Sequence, residues 1–121
     1  MAIILLIDDD ERLRKSIGRM LVTAGHQVVE AENGRIALTV ILGCNPDMVI
    51  TDVFMPEKDG IETVKSIRNK FPAMRFLAIT GGGRDERFYS VIRNLAAAAV
   101  LQKPFNQEML LAAVNAALSA A

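Results

Sequence analysis

Short apolar runs alternate with longer segments of helical spacing along the whole chain. The runs "IILLI" (3–7), "DMVI" (47–50), "RFLAI" (75–79) and "AAVL" (98–101) have the length of buried strands, and "HQVVEA" (26–31) is a weaker fifth. Between them, "ERLRKSIGRMLVTA" ends at Gly25, "GRIALTVILG" ends at the Asn45-Pro46 pair, and "GIETVKSIRNKF" ends at Pro72. "RDERFYSVIRNL" (84–95) and "NQEMLLAAVNAAL" (106–118) supply a fourth and a fifth helix. Five strands alternating with five helices predict parallel crossovers and a doubly wound α/β sheet covered on both faces. No linker or repeat interrupts the pattern, so residues 1–121 are expected to form one domain.

Charge and composition narrow the function classes. Fourteen Lys and Arg balance fourteen Asp and Glu, which leaves no bulk field to attract nucleic acid or an anionic membrane. Direct nucleic-acid binding and membrane association are therefore not expected. The apolar start lacks a basic leader and is followed at once by three acids, unlike an export signal. One cysteine, Cys44, cannot close an internal disulfide, which suits the reducing cytoplasm.

Ligands of parallel sheets collect beyond the carboxyl ends of the strands. Asp8, Asp9 and Asp10 follow the first run, Asp52 the third, Thr80 the fourth and Lys103 the fifth. Each has an ordinary use taken singly: Asp10 before "ERLRK" reads as a helix N-cap, Asp52 as a turn residue, Lys103 as a solvated charge. Jointly they fall at one edge. If the first and third strands are neighbours, Asp8, Asp9 and Asp52 crowd together, and each like-charged pair at ~4 Å costs about 4 kcal/mol at an effective dielectric near 20. A hard divalent ion such as Mg²⁺ would relieve that repulsion, and Lys103 would add a further positive charge. A carboxylate beside such an ion can attack phosphorus, and Asp52, alone at its strand end, is placed to do so.

The motifs "IDDDE" (7–11), "TDVFMPEKDG" (51–60), "AITGG" (78–82) and "LQKPF" (101–105), in this order and spacing, resemble those of response-regulator receiver domains, the phosphoacceptor modules of two-component signalling. The resemblance implies a flavodoxin-like fold with strand order 2-1-3-4-5. It implies that Asp52 is phosphorylated, that Asp9 ligates Mg²⁺ directly, that Asp8 holds metal-bound water, and that Phe54 offers its backbone carbonyl to the metal. Thr80 matches the switch hydroxyl and Lys103 the phosphate-binding lysine, with a cis Lys103–Pro104 bond. "MPEKDG" then turns the chain sharply into the third helix. Val100 stands where the family usually carries an aromatic, and Ala96 where it often has glycine.

The expected function is that of a stand-alone receiver, phosphorylated by a sensor histidine kinase or a histidine phosphotransfer protein. A receiver cut from a hybrid kinase or a DNA-binding regulator is the alternative. An aspartyl-phosphate phosphatase would place a second acid two residues after the nucleophile, where this chain has Phe54. "FNQEMLLAAVNAALSAA" carries one charge, Glu108, and leaves Leu111, Ala112 and several alanines expected to face outward. That surface, with the fourth helix and fifth strand, is the expected docking face for a downstream partner or a second copy. His26 reads as a surface or half-buried residue rather than a ligand, and the six methionines read as core filler.

Overall fold

The computed structural model of the chain describes residues 1–52, 60–80 and 99–119. Five strands, β1 (Ile3–Ile7), β2 (Gln27–Ala31), β3 (Met48–Asp52), β4 (Arg75–Thr80) and β5 (Ala99–Gln102), pair in parallel in the order β2-β1-β3-β4-β5. Four helices are present among the described residues: α1 (Glu11–Thr23), α2 (Gly34–Cys44), α3 (Gly60–Lys70) and the C-terminal helix α4 (Gln107–Ser119). Five were expected; the segment 84–95 lies outside the described residues. Among those described, no helix is long and apolar enough to cross a membrane.

Period-two alternation along the strands sends side chains to opposite faces, and two separate cores result. Ile4, Leu6, Met48, Ile50, Leu77 and Ile79 pack with Ile17 and Leu21 of α1 and with Leu110 and Val114 of α4. Leu5, Ile7, Val49 and Phe76 pack with Ala37 and Ile41 of α2 and Val64 and Ile67 of α3 on the other face. The sheet is thus wrapped on both sides, as a parallel sheet requires.

Local chemistry ends the helices where the sequence signals do. Asp10 caps α1, its carboxylate accepting the Leu13 N–H at 3.2 Å. Asn33 does the same for α2 and Asn106 for α4, accepting from Ile36 and Met109 at 2.9 and 2.8 Å. Gly25 leaves α1 at φ 96°, and Asn45, one of the few residue types that tolerate the left-handed region, ends α2 at φ 46° before Pro46 forbids further helix.

Two expectations need correction. Asp52 and Thr80 do not follow their strands; each is the last strand residue, because the ladder continues through Asp52↔Ile79 and Thr80↔Gln102. Leu111 does not face outward either: it is half-buried against the first core, and Met109 is the large apolar side chain that α4 exposes, at 48%. A helix of 3.6-residue period that buries Leu110, Val114 and Ala117 also draws the flanking Leu111 and Leu118 toward the sheet. His26 is half-buried and accepts the Ala2 N–H on Nδ1 at 3.1 Å, a structural role.

Candidate functional site

At the carboxyl edge of the sheet the strand order places the ends of β1 and β3 side by side, with Ile7 opposite Thr51. Asp8, one residue past β1, and Asp52, the last of β3, are buried, at 1% and 5% exposure, while Asp9 is exposed. Carboxylate oxygens of Asp8, Asp9 and Asp52 all lie within 4.8 Å of one another, so the crowding expected from the sequence is real. On the other flank, Lys103 reaches back from the end of β5, and its Nζ donates to Asp52 Oδ2 at 3.0 Å. Its own backbone N–H donates to the Thr80 carbonyl at 2.8 Å, extending the β4/β5 ladder by one rung, and the following Lys103–Pro104 bond is cis. Thr80 is fully buried at the end of β4. Asp8, Asp9, Asp52, Thr80 and Lys103 therefore stand on the same edge. Phe54, Ala96, most of "MPEKDG" and the two glycines of "AITGG" lie outside the described residues.

Asp8 carries the electrostatic strain of the cluster. One of its oxygens accepts the Asp10 N–H at 2.9 Å, and the other is buried with no hydrogen-bond partner among the described residues. A buried orphan carboxylate oxygen is costly, and one flanked by two further acids has the donor set of a hard divalent cation. Burial is the main force that pushes the Asp8 pKa up from 3.8 to about 6, opposed by the Asp10 N–H; the Asp52 charge raises it further, Lys103 lowers it, and Asp9 raises it.

This shift sets a pH dependence. The folded chain holds the Asp8 proton more tightly than the unfolded chain, so that contribution to stability is full below 3.8 and is lost as pH rises through about 6. Without divalent cations, Asp8→Asn should be no more stable than wild type near pH 4 and clearly more stable above pH 6. Adding Mg²⁺ should narrow the advantage by stabilising the wild type more than the variant. Thermal melts of both proteins across this range, with and without Mg²⁺, check it; a difference in melting temperature that stays constant with pH would refute the assignment.

Two residues that support the site were not singled out in the sequence. Arg14 occupies the buried stripe of α1 with Ile17, Gly18 and Leu21, and Glu30 lies on β2 opposite Leu6. Arg14 Nη1 donates to the Asp8 backbone carbonyl at 2.7 Å and Nε donates to Glu30 at 2.8 Å; Lys15 also donates to Glu30, at 3.3 Å. These cations hold the Glu30 carboxyl below its usual range against the opposing effect of burial, the largest single influence on it. The available signal was a charged residue three before Ile17 and seven before Leu21, at a position where helical spacing calls for an apolar one.

Comparison with known proteins identifies the family. Residues 4–115 match the family model described as the response regulator receiver domain. The response regulator MprA of Mycolicibacterium vanbaalenii is 38% identical over 117 residues, which cover 95% of this chain and 49% of that protein. The sensor kinase CckA of Brucella abortus is 34% identical over 119 residues, which cover 94% of this chain and 12% of the kinase. The chain thus spans about half, or much less, of the length of these curated relatives. The crystal structure of the chemotaxis protein CheY4 from Vibrio cholerae superposes with a TM-score of 0.91 at 31% identity, covering 97% of this chain and 98% of that one. With its strand order, its three clustered acids and a family match running over nearly its whole length, the chain belongs to the response-regulator receiver domains of two-component signalling.

Proposed function

We propose that residues 1–121 act as a receiver that accepts a phosphoryl group on Asp52 from a phosphohistidine, carried by a sensor histidine kinase or a histidine phosphotransfer protein. The observation that carries this reading is the meeting of the Asp8, Asp9 and Asp52 carboxylates within 4.8 Å with an ammonium 3.0 Å from Asp52. An Asp52 carboxylate oxygen attacks phosphorus as the phosphorus–nitrogen bond to the donor imidazole breaks; the imidazole leaves with the electron pair and is reprotonated. Lys103 neutralises charge on the transferring oxygens, and the Thr80 hydroxyl meets a phosphoryl oxygen once the group has arrived. Asp8, Asp9 and Asp52 would hold Mg²⁺, with the Phe54 carbonyl as a further ligand. The ion, when bound, supplies charge neutralisation that three acids and one lysine lack by themselves. A cytoplasmic location fits this donor chemistry and the lone thiol.

The output is a change of partner binding rather than turnover of a substrate. A few kcal/mol of differential contact between two states suffices for such a switch. The face that β5 and α4 present is the candidate, because α4 exposes Met109 and Ala112 beside a single acidic residue, Glu108. Val100, half-buried and paired with Ala78, takes the place of the family's aromatic there, so the readout proceeds without a ring at that position. Light scattering with and without beryllofluoride should show phosphorylation-dependent self-association, or else a heterologous partner that Met109→Glu releases. A chain that remains monomeric, with a partner indifferent to Met109→Glu, would remove this face from the proposal.

The phosphoacceptor reading is tested with acetyl phosphate and Mg²⁺. Intact mass should rise by one phosphate, and EDTA should abolish the rise. An unmodified chain under these conditions overturns the reading.

A further inference from the structure

Arg14 is an expensive residue where it stands. Only 11% of its side chain is exposed, on a helix stripe whose other members are Ile17, Gly18 and Leu21. Burying a guanidinium costs desolvation that its ion pair seldom repays, and a well-packed apolar side chain of similar volume is generally as stable or more so. Stability alone therefore does not account for Arg14.

Its hydrogen bonds suggest another role. The Asp8 N–H donates to the Ala31 carbonyl at 3.1 Å, and the Asp8 carbonyl accepts from Arg14 Nη1 at 2.7 Å. The backbone of Asp8 is thereby fixed on both sides. That carbonyl and the N–H of Asp9 belong to one planar peptide unit, so a guanidinium holding the oxygen also sets the orientation of the group from which Asp9 departs. Glu30 holds the guanidinium in turn through Nε at 2.8 Å, and Glu30 is anchored on β2 opposite Leu6 of β1. The fork geometry of arginine lets one side chain reach the loop carbonyl and the strand carboxylate together, which a lysine's single nitrogen does less well.

We infer that Arg14, braced by Glu30, is a positioning residue that presets the Asp8–Asp9 peptide for divalent-cation binding. The inference rests on the phosphoacceptor reading, in which Asp8, Asp9 and Asp52 hold the ion. Side chains that orient metal ligands without touching the metal are commonly worth ten- to a hundred-fold in metal affinity.

The test is the Mg²⁺ dissociation constant of the whole chain, measured by calorimetric titration beside the melting temperature in metal-free buffer. Arg14→Met should keep or raise the metal-free melting temperature and weaken Mg²⁺ binding about ten-fold or more. Arg14→Lys should recover part of the affinity. Phosphorylation of Arg14→Met by acetyl phosphate should return when Mg²⁺ is raised in proportion to the lost affinity, since Asp52 and Lys103 are untouched. If Arg14→Met fails to fold, Glu30→Ala on the partly exposed edge strand removes the brace alone and should likewise weaken Mg²⁺ binding. Unchanged affinity in whichever variant folds overturns the inference while the wild type still binds Mg²⁺ and takes up phosphate. A wild type that binds no Mg²⁺ overturns the phosphoacceptor reading instead.

Discussion

Asp52→Asn should reduce phosphate uptake from acetyl phosphate to the background of the assay while leaving the fold in place. An amide oxygen is a far weaker nucleophile than a carboxylate and yields no stable acyl phosphate, so the loss is of the reaction itself. The backbone of residue 52 remains paired with β4 through the Asp52↔Ile79 register, and the substitution removes one of three mutually repelling charges. Lys103 loses its partner but is 31% exposed and stays hydrated. Melting in metal-free buffer should therefore shift little, while the Mg²⁺-induced rise in melting temperature shrinks because one ligand is gone. Intact mass spectrometry gives the answer directly. Phosphate incorporation by the variant at the wild-type level would move the acceptor to another residue.

Gly34→Ala should be among the most damaging substitutions that leave the chemistry alone. Gly34 opens α2 where it crosses α3, and both it and Thr63 are buried. A Cβ built on Gly34 would overlap Thr63 Oγ1 and come within 3.2 and 3.3 Å of Thr63 Cβ and Cγ2. Because the branched side chain crowds the position with three atoms, changing its rotamer exchanges one clash for another, and α2 must move away from α3. Overpacking of this kind costs about 1–3 kcal/mol and sometimes more, a large share of the 5–15 kcal/mol that holds a domain together. The better helix propensity of alanine returns at most about 1 kcal/mol. Denaturant melts should place the variant about 1–2 kcal/mol below wild type. Thr63→Ala should rescue it in the double mutant, and Thr63 is a favourable site for the rescue because its hydroxyl is buried with no hydrogen-bond partner among the described residues. Equal losses with and without Thr63→Ala would show that steric contact is not the cause.

The alternation of runs carried the fold because each strand of a two-sided parallel sheet must be apolar through its length, and "IILLI" and "RFLAI" can do little else. Asp8, Asp9, Asp52, Thr80 and Lys103 were legible for a related reason: a polar residue directly after such a run has to sit at its mouth. Three-dimensional detail was not. Whether Asp52 ends β3 or follows it depends on how far β4 runs alongside, and that is decided by the length of the neighbouring strand. Leu111 was misplaced because a helix with few charges offers no polar face to mark the outside, leaving the angle of its buried stripe to the sheet. Arg14 was passed over because a charged residue in an amphipathic segment reads as solvent-facing unless its partners, a carbonyl and a glutamate 16 residues away, are known.

The strand order has a consequence for the growing chain. β2, β1 and β3 lie side by side and are all complete by Asp52, so the three acids are encoded in the first part of the sequence. The ammonium that faces them comes 51 residues after Asp52, behind two further strands. During synthesis the acidic half of the edge is therefore translated well before its counter-charge. If the early strands associate on their own, they do so against their own electrostatic repulsion, which a divalent cation could quench until β5 docks.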